Sequence, residues 1–352
     1  MHAHYPHMPT HTANTARVVQ NLHQQLHKYI IGTRSYLEME AANQSDYLDD
    51  LRVNFCIFIA DLTRNMWALD NQQTLLTEEM RTDLFALFVN YCDVFRGVRD
   101  ITKPTVANAV VIASPPNLDL GLAALDAVAA LCCGPAFDKE LSLRQPAYLR
   151  SFLESMLCCS HRAVRTLAGT AIQALLTHNR TGAEAGLILE WTLAMCYASQ
   201  EPAARQEAFQ ALAHVLSSST DLGMGIVPGL CAAVHAIAHS DPAARECGRQ
   251  LVSTLTERFY GPQQRLAMSS TLANYHPAQH SVELDSVSAA LAARYPQHTL
   301  GIFLEFAQRF RASVPASQRV ILRCLLPWLR QMDLVSELGH NKLGCHPDVV
   351  FR

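Results

Sequence analysis

Charged residues are scarce in this chain of 352 residues, and neither sign dominates among them. Asp, Glu, Lys and Arg together make up 17% of the sequence, the formal net charge is −3, and no stretch forms a basic stripe. Proteins that bind nucleic acid through bulk electrostatics need a surplus of positive charge. The composition therefore argues against a nucleic-acid partner.

Long apolar runs are missing as well, although 49% of the residues are hydrophobic. No segment approaches the roughly 18 apolar residues that a membrane helix requires. The start of the chain is polar and His-rich, unlike a signal peptide. The 11 cysteines show neither CxxC spacing nor a disulfide framework. We expect reduced, buried thiols in a cytoplasmic protein without a membrane span.

Catalytic signatures are absent too, since the chain has no nucleophile elbow, phosphate-binding loop or metal-ligand cluster. Residues 223–229 have the glycine density of a phosphate loop, but the spacing is wrong and lysine is lacking, which favours a helix–helix turn. His23 and His27 form an i, i+4 pair without an evident third ligand. We expect no catalytic residue, cofactor or metal site; an enzyme on an all-α scaffold is the alternative.

A repeated phrase is what the sequence does contain. Similar five-residue segments begin at positions 161, 201 and 241, and they end in Arg165, Arg205 and Arg245. Pro202 and Pro242 occupy the second position of the later two. Small and apolar residues recur behind each arginine at offsets of three and four, which marks one face of a helix. An acid or proline at the start suits a first helical turn.

A period of 40 residues with helical spacing inside it predicts an all-α fold. The specific architecture expected is a HEAT/armadillo-like α-solenoid of stacked antiparallel helix pairs, in which small residues such as Ala168 and Ala208 let helices approach closely. We expect the three arginines to bond an acidic or carbonyl partner in the adjacent repeat rather than a ligand. An irregular helical bundle with a chance match is the alternative.

Changes in composition and periodicity along the chain divide it into five segments. Proline inside the last helix, at Pro327, is expected to kink or split that helix. The segments are a disordered His-rich tail over residues 1–14, long N-terminal helices over 15–97, a proline-containing surface linker over 98–117, a HEAT-like repeat array over 118–335 and a poorly ordered tail over 336–352. For the first tail, adventitious metal binding is the alternative to plain disorder.

Several short phrases occur in a consistent order between residues 45 and 335. They are residues 133–137, Trp191 with residues 196–197, residues 291–300 with Pro296, residues 306–310, and residues 325–335 with Pro327 and Trp328. These phrases resemble the Furry family of cell-morphogenesis proteins. The His-rich start and the tail after Ser336 depart from the family pattern.

The resemblance implies a large HEAT/armadillo-like scaffold without catalytic activity, of which this chain is a segment or a short divergent member. Furry proteins act with NDR-type kinases and their Mob co-activators in polarised growth and cell shape, and in animals in microtubule and spindle functions. The resemblance thus implies a kinase, a co-activator and microtubules as partners, at the cell cortex or on the cytoskeleton. The repeat alone leaves open a generic HEAT-repeat adaptor for transport or phosphatase assembly.

Overall fold

Helices account for every regular element in the part of the chain that the structure describes, so the predicted all-α class is confirmed. The structure is a computed structural model, and it describes residues 10–41, 45–68, 76–95, 118–134, 148–179, 183–218, 225–266 and 277–331. The predicted linker over 98–117 and the predicted tail over 336–352 lie outside these ranges.

The chain divides into two compact units, Met1–Ala174 and Leu175–Arg352. The first unit contains α1 (Thr10–Met39), α2 (Asp46–Ala68), α3 (Glu78–Tyr91) with a 3-10 turn at Cys92–Phe95, α4 (Leu118–Leu131), α5 (Tyr148–Leu157) and most of α6 (Arg162–His178). Helix α1 begins inside the predicted tail over 1–14, while residues 1–9 lie outside the described ranges.

Helix α4 belongs with the N-terminal helices because it packs against α2 and α3. Arg64 on α2 donates through both terminal nitrogens to the Asp126 carboxylate on α4. Arg81 on α3, which is 5% exposed, donates through Nη2 to the Leu131 carbonyl at the end of α4 at 2.5 Å. The boundary between the units therefore falls inside the predicted array over 118–335, not at the predicted linker.

The second unit opens with two helical hairpins. Its helices are α7 (Ala183–Ala198), α8 (Pro202–Ser218), α9 (Ile226–Ile237), α10 (Pro242–Tyr260), α11 (Pro277–Arg294), α12 (Thr299–Ala312) and α13 (Pro315–Gln331). Helix α7 packs against α8, α9 packs against α10, and α8 also contacts both α9 and α10. Each hairpin thus buries an apolar face against the next one.

Helices α6, α8 and α10 start at equivalent positions of the repeat, at Arg162, Pro202 and Pro242. The repeat position that carries a fully buried alanine in α6 and α8 carries Gly248 in α10. A Cβ at Gly248 would lie 2.8 Å from the Ala233 carbonyl oxygen of α9, closer than a methyl group allows. Glycine therefore permits α9 and α10 to approach each other closely.

The last three helices depart from the pattern of a linear array. Helix α12 contacts α7 as well as α9 and α13, and α11 and α13 both pack against α9. In a strictly linear array each repeat contacts only its immediate neighbours. The contact between α12 and α7 skips a hairpin. Helix α9 is the central helix of this unit because it contacts α8, α10, α11, α12 and α13.

We predicted that Pro327 kinks or splits the last helix. Helix α13 runs without interruption through Pro327, so the proline does not split it, and the kink stays a prediction. An interior proline costs about 3 kcal/mol because one backbone hydrogen bond is lost and the ring crowds the previous turn. Cys324, Leu325 and Trp328 surround the proline and are almost entirely buried against neighbouring helices. This packing offsets the cost and keeps the helix in one piece.

Candidate functional site

The three repeat arginines make the same pair of hydrogen bonds. Nη1 of each one donates to the backbone carbonyls of the residues six and five positions earlier in the turn between two helices. These distances are 2.9 and 2.6 Å for Arg165, 2.5 and 3.3 Å for Arg205, and 2.9 and 2.8 Å for Arg245. The repeated sequence thus produces a repeated local structure.

The partners of these arginines correct one expectation. We predicted a partner in the adjacent repeat, but the bonded carbonyls belong to the turn that directly precedes each arginine. These carbonyls follow the end of a helix, where backbone oxygens lack helical partners and the helix dipole favours a cation. Each arginine therefore closes its own hairpin.

The start of α10, in the third repeat, has the acidic cap and the first-turn proline that the sequence predicted. The Asp241 side chain accepts hydrogen bonds from the backbone N–H groups of Ala243 at 2.7 Å and Ala244 at 3.0 Å. Pro242 occupies the first helical position, where an N–H would have no helical acceptor. Pro202 is likewise the first residue of α8.

His239 connects two successive hairpins, a role that sequence reasoning missed. Its Nδ1 accepts a hydrogen bond from the Asp241 backbone N–H at 3.1 Å, so the ring proton sits on Nε2. Nε2 then donates to the Pro202 carbonyl at 3.2 Å. Burial lowers the pKa of His239, which preserves this neutral form. Its place six residues before Arg245 was visible in the repeat, but its partner in the previous hairpin was not.

A crevice lies beside this link, lined by residues of α7 to α10. His235 and His239, four residues apart, share it with Cys196 and Arg205. The crevice gives a water-sized molecule about 10 Å³, room for one water and for no metabolite. Its wall is formed by half-buried and buried side chains where the hairpins pack together.

By residue type alone, His235, His239 and Cys196 suggest a metal centre, but the geometry does not fit one. Both ring nitrogens of His239 already bond backbone groups. Among the described residues, no group of three or more His, Cys, Asp or Glu side chains is arranged to hold a metal ion. His23 and His27 of α1 are covered by the same search.

Buried thiols dominate the cysteine chemistry of the described chain. Burial raises the pKa of the Cys132 and Cys196 thiols to about 12, so these thiols stay protonated near neutral pH. Every described cysteine is a free thiol. These residues act as small apolar side chains and are poor nucleophiles.

A buried charge cluster of the second unit centres on Arg309 of α12, which is 6% exposed. It forms a bidentate pair with Glu190 of α7, with Nη2 at 2.7 Å from Oε2, and Nε donates to Glu305 at 2.7 Å. Burial by itself lowers the pKa of Arg309, but the hydrogen bonds to both carboxylates outweigh it and raise the pKa. The guanidinium stays charged and ties α12 to α7.

The three family-motif positions do not share one environment. Pro296 is exposed in a 3-10 turn, Pro296–His298, and its carbonyl accepts from the Thr299 hydroxyl at 2.7 Å. Pro327 is buried in α13, and the neighbouring Trp328 is 2% exposed. These residues anchor helices and turns; they do not line a common site.

Comparisons with known proteins leave the family of this chain open. No protein-family model matches the sequence. A crystal structure of an engineered protein is similar over 85% of this chain and 97% of its own, at 12% identity and a TM-score of 0.32. Such a small likeness does not assign a fold family. Within the described residues, no helix combines the length and the apolar character needed to cross a bilayer.

Proposed function

We propose that this chain is a non-enzymatic interaction scaffold, built as a HEAT/armadillo-like α-solenoid and acting in cell morphogenesis and polarised growth. Its partners are an NDR-type kinase and the Mob co-activator of that kinase, with microtubules as a further partner, in the cytoplasm at the cell cortex or on the cytoskeleton. The identity of these partners comes from the Furry-like phrases of the sequence.

The observation that carries the proposal is the arginine bond pattern, which recurs in every second interhelical turn, before α6, α8 and α10. Repeated hairpins that bury their apolar faces against one another expose an extended surface, and repeat proteins use such surfaces to bind other proteins. The crevice beside the hairpins holds about one water, and the thiols next to it are poor nucleophiles. These features support docking rather than catalysis.

A scaffold that binds two proteins raises the local concentration of one near the other, so that their reaction becomes effectively intramolecular. We therefore expect activation of the kinase by Mob to rise with added chain and then fall when the chain is in excess, because separate copies then hold the two partners. The measurement is substrate phosphorylation by purified kinase and Mob across a titration of the chain.

Two variants of α8 provide matched controls for this titration. Ala208→Glu places a charge at a fully buried position, whereas His214→Glu places the same charge at an exposed position of the same helix. We expect the first to abolish the effect and the second to retain it. A wild-type chain that binds neither kinase, Mob nor tubulin contradicts the proposal; capture of a phosphatase catalytic subunit or transport cargo instead supports the generic adaptor.

A further inference from the structure

Helix α13 has one face that its own unit covers and another that it does not. The helix packs against α9, α11 and α12 through a buried row that includes Ile321, Cys324, Leu325 and Trp328. Ser288 of α11 donates to the Cys324 carbonyl at 2.5 Å and fixes the rotation of α13 about its axis. The remaining faces of α13 are therefore held in defined directions.

Three leucines form a second apolar row on α13. Leu322, Leu326 and Leu329 follow the i, i+4, i+7 spacing of one helical face, and they are 52, 51 and 37% exposed. In the described part of the second unit, the other exposed large apolar side chains occur singly on their helices, at Leu187, Phe259, Val282 and Leu304. An aligned apolar row of this kind is typical of surfaces that bind another protein.

The charged residues of α13 itself all have the same sign. Helix α13 contains Arg319, Arg323 and Arg330 and no acidic residue. Arg323 pairs with Asp285 of α11, whereas Arg319 and Arg330 are exposed and form no ion pair with any described residue. Arg319 lies three residues before Leu322, so it borders the leucine row on the helix surface.

We propose that this leucine–arginine face of α13 binds an acidic amphipathic helix of a partner protein. A helix docks on such a face by placing its own apolar side chains against the i, i+4, i+7 row. Glutamate or aspartate beside those apolar side chains then meets Arg319 and Arg330. The inference rests on the proposed scaffold function and specifies the chemistry of one partner.

The order of the rows around α13 favours a helix over an anionic membrane. At about 100° per residue, the arginines point away from the buried row, and the leucines lie between the arginines and the buried row. A helix that packs along the side of α13 contacts the leucines first and the arginines at its rim. A bilayer approaching from outside meets the arginines before the leucines.

The test uses the full chain and a designed peptide as the probe. The peptide is a fluorescent amphipathic helix with leucines on one face and glutamates along its flanks, and a second peptide carries lysine in place of every glutamate. We expect the acidic peptide to bind at least tenfold more tightly than the lysine peptide in fluorescence anisotropy. We also expect this binding to weaken with salt.

Variants separate the two rows and provide a matched control. Leu322→Ser with Leu326→Ser should weaken binding of the acidic peptide at least tenfold, whereas Leu304→Ser, an equally exposed leucine on α12, should leave it unchanged. Arg319→Glu with Arg330→Glu should reverse the preference between the two peptides. Because all five positions are exposed, circular dichroism and the melting temperature should match the wild type.

Several outcomes overturn the inference. Two of them concern the peptides: both peptides bind equally tightly, or Leu304→Ser weakens binding of the acidic peptide as much as the double leucine variant does. The other two are saturable binding to vesicles of phosphatidylserine and phosphatidylcholine that the double arginine variant abolishes, and a dimer of this chain that the double leucine variant separates. The kinase and Mob titration distinguishes this inference from the proposed function. If the chain binds the kinase and Mob but not the acidic peptide, the proposed function stands and this inference is wrong. If the chain binds the acidic peptide but neither the kinase nor Mob, this inference stands and the proposed function is wrong.

Discussion

The repeat arginines of the hairpins α7–α10 differ from two arginines of the closing helices α11–α13 in the range of their bonds. In the hairpins, Arg205 and Arg245 bond carbonyls five and six residues away, within a single turn of chain. In the closing helices, Arg309 bonds Glu190 at a separation of 119 residues, and Arg323 bonds Asp285 across 38 residues. Short-range bonds shape each hairpin, and long-range bonds join finished helices.

This difference separates local from cooperative stability. A hairpin turn can form its arginine bonds before its neighbours are in place, because donor and acceptors are close in sequence. The bond between Arg309 and Glu190 requires α12 to reach α7 past an intervening hairpin. The second unit therefore combines repeat-like hairpins with a closure that makes it a single compact body.

The largest expected effect comes from a charge placed inside the hairpins. Ala208 is fully buried in α8, so Ala208→Glu leaves a carboxylate without a partner or water. We expect a loss of about 4 kcal/mol in the free energy of unfolding, measured by urea denaturation. His214→Glu at the exposed face of the same helix should change it by less than about 0.5 kcal/mol. Equal stability of the two variants would show that the helix register is wrong.

The closing helices are tested by Arg309→Ala. This change removes the bidentate pair with Glu190 and leaves Glu305, whose side chain is 12% exposed, without its cation. We expect a loss of about 3 kcal/mol, at the low end for a broken buried pair because Glu190 is 53% exposed and can turn to water.

Arg323→Ala is the matched control for that measurement. Its pair with Asp285 is exposed on both sides, at 43 and 48%, so the expected loss is below about 1 kcal/mol. A similar loss in both arginine variants would mean that burial of Arg309 adds nothing to the closure.

The pH dependence of stability should come largely from the hairpins. Burial lowers the pKa of His235 to about 3, against about 6.5 for an unfolded histidine. Below pH 6.5 the unfolded state takes up the proton first, so stability falls as pH falls toward 3. At pH 5 the expected loss is about 2 kcal/mol.

Comparison of two histidine variants isolates this contribution. In denaturation midpoints measured between pH 7 and pH 5, His235→Gln should lose this part of the slope, because glutamine does not titrate. His214→Gln removes an exposed histidine of α8 and should keep the wild-type slope. Parallel slopes for the wild type and His235→Gln would contradict the buried neutral state of His235.

A small effect is also expected from the repeat arginines. Arg245→Ala removes two hydrogen bonds from a cation to the carbonyls of residues 239 and 240. We expect a loss of about 1 kcal/mol, because water can replace part of the bonding at a partly exposed turn. Arg205→Ala, with one short and one long bond, should lose no more. A loss as large as that of Arg309→Ala would remove the distinction between the two regions.

Prediction from sequence was most accurate where partners are close along the chain. The repeat phrase located the starts of α6, α8 and α10 to within one residue, and it identified Arg165, Arg205 and Arg245 as equivalent, because helix caps recur at fixed offsets. The acceptors of these arginines were placed one repeat too far away. An offset identifies a recurring donor, but it does not say which carbonyl lies within reach.

The candidate sites were less predictable. Pro327 looked like a helix breaker, yet the burial of Trp328 and its neighbours keeps α13 continuous. The role of Gly248 depends on how closely α9 approaches α10, which the repeat alignment does not specify. Similarly, the sequence does not distinguish which apolar residues of α13 are buried. Packing against neighbouring helices decides which of them form the buried row and which leucines stay exposed.

The sequence by itself determined the all-α class, the 40-residue period and the starts of the repeat helices, because these depend on contacts within a few residues. Tertiary structure alone decided that α4 joins the N-terminal helices, that α12 packs on α7 and that Arg309 pairs with Glu190. Those pairings depend on the path of the connections and on which faces meet. They bring together residues that no fixed offset relates.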